Sequence, residues 1–100
     1  MASSKTQEII EREARSVMQT YTRQPLVIAR GKGALVWDVE GKKYIDCFAG
    51  LAVCSTGHCH ALVTKAVRAQ AQKLMHVSNI YYTEEQVKLA ETLVKLTQLD

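Results

Sequence analysis

Two β-rich runs, Ala34-Leu35-Val36-Trp37-Asp38 and Lys43-Tyr44-Ile45-Asp46-Cys47, stand on either side of Val39-Glu40-Gly41-Lys42. Branched and aromatic residues around a short glycine-containing loop specify a β-hairpin. Gly41 supplies a positive φ at little steric cost. Upstream, Pro25 pushes Gln24 to an extended conformation and Leu26-Val27-Ile28-Ala29 continues as a short apolar run. Gly31-Lys32-Gly33 reads as the turn leading back to Ala34. Leu26–Arg30 and the two hairpin runs together predict a three-stranded antiparallel sheet.

Helical patterns flank this sheet. Ile9, Ile10, Ala14, Val17, Met18 and Tyr21 form one stripe over a helix predicted at 5–20, with Ser4 and Gln7 in a capping-box spacing. A second helix starts near His60, its apolar face made by Leu62, Val63, Ala66, Val67, Ala71 and Leu74. A third follows Thr83, which stands three residues before Gln86 as in a capping box. Tyr82 and Val87 occupy the positions of a hydrophobic staple, Glu84 and Glu85 suit the positive end of the helix dipole, and the pattern runs through Thr97. Residues 49–58 carry small side chains and two glycines, which reads as a closely packed connection. The segment is therefore α+β: an N-terminal helix, a small antiparallel sheet and two helices. That order offers more apolar faces than it obviously covers, and an unfinished chain is one explanation of the excess.

Composition limits the function classes. The chain has 100 residues, enough for one domain with a modest core. With 47% apolar and 23% charged residues it is far from the disordered class. The apolar stretch from Cys47 to Cys54 is broken by Gly50 and is far shorter than a membrane span, so no membrane association is expected. A net charge of +3, spread along the chain without aromatic interleaving, lacks the footprint of a nucleic-acid binder. Three cysteines, Cys47, Cys54 and Cys59, make an odd count without a C-x-x-C pair, so reduced thiols and a cytoplasmic location are expected.

Few residues carry chemistry by themselves. His58-Cys59-His60, with Cys54 and His76 at a distance, includes ligand types but matches no zinc spacing, so no metal is expected. Cys-His pairing as nucleophile and base has nothing behind it but proximity in sequence. Gly31-Lys32-Gly33 is followed by a strand and lacks the context of a phosphate cradle. Trp37 in the hairpin reads as core. Packing explains Ser78-Asn79-Ile80-Tyr81-Tyr82 less readily, and this polar-aromatic loop before a helix cap is the best candidate for a ligand-facing surface.

The whole string then resembles a known family. Arg30-Gly31-Lys32-Gly33, Val36 through Asp46, Ala49-Gly50-Leu51-Ala52-Val53, Gly57-His58-Cys59-His60 and His76 through Glu84 resemble, in order, the N-terminal segment of class III aminotransferases. The H-x-S-N-x-Y-Y-x-E run is similar to that of the acetylornithine aminotransferase group. The resemblance covers about residues 21–96 and implies a pyridoxal-phosphate (PLP) enzyme of transferase fold type I, aspartate aminotransferase-like. It further implies amino transfer from an ω-amine donor such as N-acetylornithine to 2-oxoglutarate, in arginine-related biosynthesis, by a homodimer. Residues 1–20 would be a helical arm. Residues 21–100 would be the first part of the small domain, with dimer-interface segments.

Residue by residue, the resemblance carries over little. Tyr21 and Leu51 match substrate-pocket positions; ornithine aminotransferase has Tyr at the second, so Leu51 fits an acetylated or other ω-amine donor better. Ser78, Asn79, Tyr81 and Tyr82 would face the active site across the dimer interface. None of the eight lysines matches the Schiff-base position, so no catalytic residue is expected here, and the chain alone should neither hold PLP firmly nor transaminate. Ala61 stands where the family usually has Pro, a change the helix start tolerates, and Cys54-Ser55-Thr56 replaces an Asn-containing stretch. The rival reading is a self-contained, non-catalytic α+β binding or interaction module.

Overall fold

The computed structural model describes residues 4–98. In chain order the elements are α1 (Lys5–Ser16), β1 (Ile28–Lys32), β2 (Leu35–Asp38), β3 (Lys43–Ile45), α2 (Ala49–Ala52), α3 (Ala61–Lys73) and α4 (Glu84–Thr97). Two compact units divide between Ala66 and Val67. Among the described residues no helix is long and apolar enough to cross a membrane.

The first unit is organised by the expected sheet, with strands in the order β1-β2-β3 and both pairings antiparallel. Gly41 has φ +86° in the β2–β3 loop, as anticipated. The alternation of a strand puts Val36 and Asp38 of β2 on the covered face, and both are buried. Burying a carboxylate demands partners. Asp38 has them: Oδ1 accepts from the amides of Glu40 (3.0 Å) and Lys42 (2.8 Å), and Oδ2 accepts from the Tyr44 hydroxyl (2.8 Å). Burial raises the Asp38 pKa, but the Tyr44 hydroxyl and the two amides outweigh it and hold the carboxyl below its ordinary value. A buried aspartate thus closes the hairpin loop and ties it to β3.

The first strand lies two residues later than expected. Gly31 and Lys32 belong to β1, and the turn is confined to Gly33, at φ +58°, and Ala34. Register explains the shift. Ile28 faces Asp38 while Arg30 faces Trp37, so Ala29 is an extra residue in a bulge. The bulge brings the Arg30 guanidinium to 3.8 Å from the Trp37 ring centroid. Trp37 itself is half-buried under this cation rather than enclosed in a core.

α1 is also shorter than its stripe predicts. It ends at Ser16, and Val17 is extended at φ −120°, ψ 136°. The carboxamide of Gln19 donates to the Val17 carbonyl (2.8 Å) and to Glu13 (3.0 Å), while Arg23 pairs with Glu13 at 2.8 Å. These contacts fold residues 17–23 back along the helix, so Val17, Met18 and Tyr21 leave the helical stripe. At the other end Ser4 Oγ accepts from the Gln7 amide (3.2 Å), the expected cap. The Glu40 carboxylate accepts from the Thr6 amide at 3.1 Å and from the Thr6 hydroxyl. A negative group from the hairpin loop therefore meets the positive end of α1.

In the second unit α4 occupies the expected span, but its N-terminus is made differently. Thr83 has cap geometry without a side-chain cap bond, so the Thr83/Gln86 box does not form. Tyr82 is fully exposed, so the staple to Val87 does not form either. The first turn is held instead by Lys88, which pairs with Glu84 at 2.8 Å and reaches Glu85 at 3.5 Å. That hydrogen bond to Lys88 lowers the Glu84 pKa. Every residue of α4 is exposed, including Leu89, Leu93 and Leu96. The α3 face of Leu62, Val63 and Val67 is exposed as well. The surplus of apolar faces predicted from the pattern is present.

Candidate functional site

Residues 46–58 form a loop closed at its base. Asp46 follows β3, and its amide donates to the Ala34 carbonyl (2.9 Å). Its Oδ1 accepts from the amides of Phe48 and Ala49, each at 2.9 Å, and its Oδ2 lies 2.6 Å from His58 Nε2. The hydrogen bond to His58, with help from the Ala49 and Phe48 amides, lowers the Asp46 pKa to about 2. His58 is seated by backbone: its N–H and C=O exchange two 2.9 Å bonds with Gly33. A Cβ on Gly31 would come within 2.7 Å of His58 Cγ, and one on Gly57 within 3.0 Å of Gly33 Cα. Both glycines are therefore required by close approach, Gly57 also by φ +91°. Gly50 meets no such neighbour, since its nearest contact would be Val53 at 3.7 Å. The compactness expected across 49–58 is concentrated at Gly57-His58.

Inside the loop the backbone is left-handed. Ala49, Gly50, Leu51 and Ala52 have φ of 50°, 63°, 60° and 63°. Three of these carry a Cβ, at a cost of roughly 1–2 kcal/mol each. Surrounding bonds hold this α2 turn: the Leu51 amide donates to the Phe48 carbonyl (3.1 Å), the Cys54 amide to the Ala49 carbonyl (3.0 Å), and the Ser55 hydroxyl to the Ala52 carbonyl. Leu51 stands on the turn 78% exposed. An open recess of about 370 Å³ lies at the base of the loop, lined by Ala34, Asp46, Ala49, Cys54, Ser55 and His58 among others, and Leu51 is outside its lining.

Tyr21 lies elsewhere in the same unit. It lines a cleft of about 440 Å³ with Ile9, Ile10, Pro25, Leu26 and Ile28. The segment pinned back by Glu13, Gln19 and Arg23 makes one wall of this cleft, with Tyr21 still 75% exposed.

The second unit brings the polar-aromatic loop together as one surface. Ser78, Asn79, Tyr81 and Tyr82 line a groove of about 460 Å³ with Lys73 and His76. The Tyr81 amide donates to the Ser78 carbonyl (3.0 Å), which turns the loop before α4. The Gln70 carboxamide donates to the Leu74 carbonyl (2.9 Å) where α3 gives way to the loop. Both tyrosines project outward, 63% and 100% exposed.

Reading the residues alone missed the Asp46–His58 couple. His58 belongs to the His58-Cys59-His60 run, whose ligand types match no zinc spacing. Its side chain is committed to Asp46. A legible signal was Gly31: glycine within a strand marks a place of close approach, here by the His58 ring.

The known proteins that this chain matches agree on one family. The model for "Aminotransferase class-III" matches residues 16–100. An acetylornithine aminotransferase of Methanothermobacter thermautotrophicus is 59% identical over 95 residues, 95% of this chain and 24% of that protein. The crystal structure of acetylornithine aminotransferase from Elizabethkingia anophelis superposes with a TM-score of 0.94 at 32% identity, over 98% of this chain and 26% of that one. An ornithine aminotransferase of Toxoplasma gondii, described with partial occupancy of PLP at its active site, superposes at 0.91 with 30% identity, over 95% of this chain and 22% of that one. The chain thus spans about a quarter of the length of these relatives. From Ser16 to Asp100, through the hairpin, the glycine-seated His58 and the tyrosine loop, the chain belongs to the class III aminotransferases.

Proposed function

We propose that this chain serves as the N-terminal portion of a PLP-dependent aminotransferase of the acetylornithine type. In this reading the enzyme moves the amino group of an ω-amine donor such as N-acetylornithine to 2-oxoglutarate. It works in the cytoplasm, in arginine-related biosynthesis, as a homodimer. The observation that carries the reading is the 59% identity to an acetylornithine aminotransferase over 95% of the chain. The exposed apolar faces of α3 and α4 support it, since apolar surface of that extent is ordinarily covered by more polypeptide.

The proposal extends to individual residues. Residues 1–20, helical over Lys5–Ser16, act as the N-terminal arm. Tyr21 and Leu51 contribute wall to the donor pocket, where the aliphatic chain of a donor whose second amine is acylated packs without burying an unpaired ammonium charge. Ser78, Asn79, Tyr81 and Tyr82 supply donors, acceptors and ring faces at the active site across the dimer interface.

PLP, when bound, supplies the electron sink of the reaction. The residues here do not by themselves fit it. A lysine that joins the cofactor must be held out of water so that its amine is neutral. All eight lysines are exposed; Lys73, the one lining the tyrosine groove, is exposed, and Lys88 is bound to Glu84. This chain's part is therefore to shape and shield the pocket, and no bond-making step is assigned to it.

A graft tests the proposal. Residues 4–98 replace the matching quarter of the Methanothermobacter enzyme, and amino transfer to 2-oxoglutarate is followed with N-acetylornithine, ornithine and 4-aminobutyrate as donors. The chimera is expected to retain N-acetylornithine as preferred donor. A correctly folded chimera that prefers another amine, or none, overturns the assignment. Borohydride reduction of this chain with PLP is expected to leave no stoichiometric lysine adduct. An adduct at one lysine, or transamination by the chain unaided, would favour a different reading.

A further inference from the structure

Three left-handed non-glycine residues in a row of four are conserved in shape only if something over-determines them, and backbone strain of this kind concentrates where a side chain must be held in one place. Beside the local bonds within the turn, the clasp at the base of the loop anchors its entry. Asp46 Oδ1 binds the two amides that lead into the left-handed turn, Phe48 and Ala49, each at 2.9 Å. Its other oxygen is fixed by His58 Nε2 at 2.6 Å. His58 in turn cannot drift, because its backbone is doubly bonded to Gly33 and its ring sits against Gly31. The path runs without a gap from the sheet, through His58 and Asp46, to the amides that start the turn bearing Leu51. Neither polar side chain is exposed: the His58 and Asp46 side chains are 24% and 16% accessible, whereas Leu51 is 78% exposed. The polar pair is arranged to hold, and the apolar residue is what is presented.

We propose that Asp46 and His58 are positioning residues that set the place of Leu51 against the aliphatic chain of the amine donor, and so tune donor affinity and choice. The inference rests on the reading of Leu51 as a pocket wall given above. His58 does not touch the reacting atoms. It acts through Asp46 and the backbone of 48–52, so its loss should loosen the fit to donor more than the rate of the bound complex. A displacement of about 1 Å in a substrate-positioning group is worth on the order of tenfold or more.

The test is a double-variant cycle in the enzyme that carries this segment, read as donor KM and kcat separately. Leu51→Ala, His58→Ala, His58→Gln and the Leu51→Ala/His58→Ala pair are compared with N-acetylornithine and ornithine as donors. His58→Ala is expected to raise KM for N-acetylornithine on the order of tenfold with kcat within about twofold, and to shift the ratio between the two donors as Leu51→Ala does. His58→Gln, whose Nε2 can still donate to Asp46, is expected to restore the parent values. The double variant is expected to be no worse than Leu51→Ala alone. Additive losses in the double variant overturn the proposal, as does a fall in kcat without a change in donor ratio, because either result places His58 outside the path to Leu51. Should His58→Ala not fold, Asp46→Asn, which keeps the shape and weakens both sides of the clasp, enters the same cycle. If Leu51→Ala leaves donor KM and donor ratio unchanged, the pocket reading of Leu51 has failed. If it changes them and no clasp variant couples to it, the positioning inference alone has failed.

Discussion

The two compact units solve the problem of holding a short chain in shape in opposite ways. The first, ending at Ala66, is tied by bonds between residues far apart in sequence: Glu40 to Thr6, Asp46 to His58, and Gly33 to His58. The second, from Val67, is held by local bonds: Lys88 to Glu84, the hydroxyls of Thr92 and Thr97 to carbonyls one turn back, and Gln70 to Leu74. Local bonds make helices but do not bury apolar surface, and helices of 13 or 14 residues are marginal in water without packing. The difference teaches that the hairpin side carries its own specification, whereas the helical side depends on whatever covers Leu89, Leu93 and Leu96.

The sharpest way to break this contrast is at Gly57. Gly57→Ala combines a positive φ with a Cβ 3.0 Å from Gly33 Cα, and is expected to destabilise the chain by roughly 2–4 kcal/mol in a urea titration. A neutral result would mean that the His58–Gly33 bridge is dispensable. Val36→Ala, at the buried apolar position of the sheet, comes next, at about 1–2 kcal/mol lost by the same measurement.

Acid probes the clasp of the first unit without mutation. The Asp46 pKa is lowered to about 2 by His58 and two amides. A carboxyl whose folded pKa lies below its unfolded one stabilises fully above the unfolded value, near 3.8, and loses that contribution as pH falls toward 2. Amide exchange or near-ultraviolet signals of the hairpin side should therefore weaken between about pH 4 and 2, and Asp46→Asn should flatten that dependence. A hairpin signal indifferent to pH over this window in the unsubstituted chain would show that the clasp adds nothing to its stability. The smallest effect is expected on the helical side. Leu93→Ser should change the stability of this chain by less than about 0.5 kcal/mol, because Leu93 is exposed. The same substitution in an enzyme carrying the segment should lower its melting temperature measurably, and equal behaviour in both settings would deny that α4 is covered.

Much of this architecture was legible from local pattern. The hairpin about Gly41, the three-stranded order, the span of α4 and the surplus of apolar faces all follow from periodicity and turn chemistry, which act over a few residues. The misses share a cause. α1 stops at Ser16 because Gln19 and Arg23 reach back to it, and β1 begins at Ile28 because a bulge at Ala29 sets its register. The Thr83 cap and the Tyr82 staple match their motifs in sequence and are not made in the fold. Tyr21, Leu51 and the Ser78–Tyr82 loop were singled out by resemblance, and the loop alone also by its composition.

Sequence by itself determined the alternation that puts Val36 and Asp38 on one face, the turn at Gly41 and the amphipathic helices, because each depends on steric and solvation preferences of neighbouring residues. Tertiary structure decided that Gly31 would be the seat of a histidine, that Asp46 would hold His58 and two amides at once, and that residues 49–52 would wind left-handed. The seat of His58 against Gly31 and its bond to Asp46 need partners twelve or more positions apart to meet. Their energy comes from pairing a carboxylate and excluding a Cβ, which no single stretch of chain encodes.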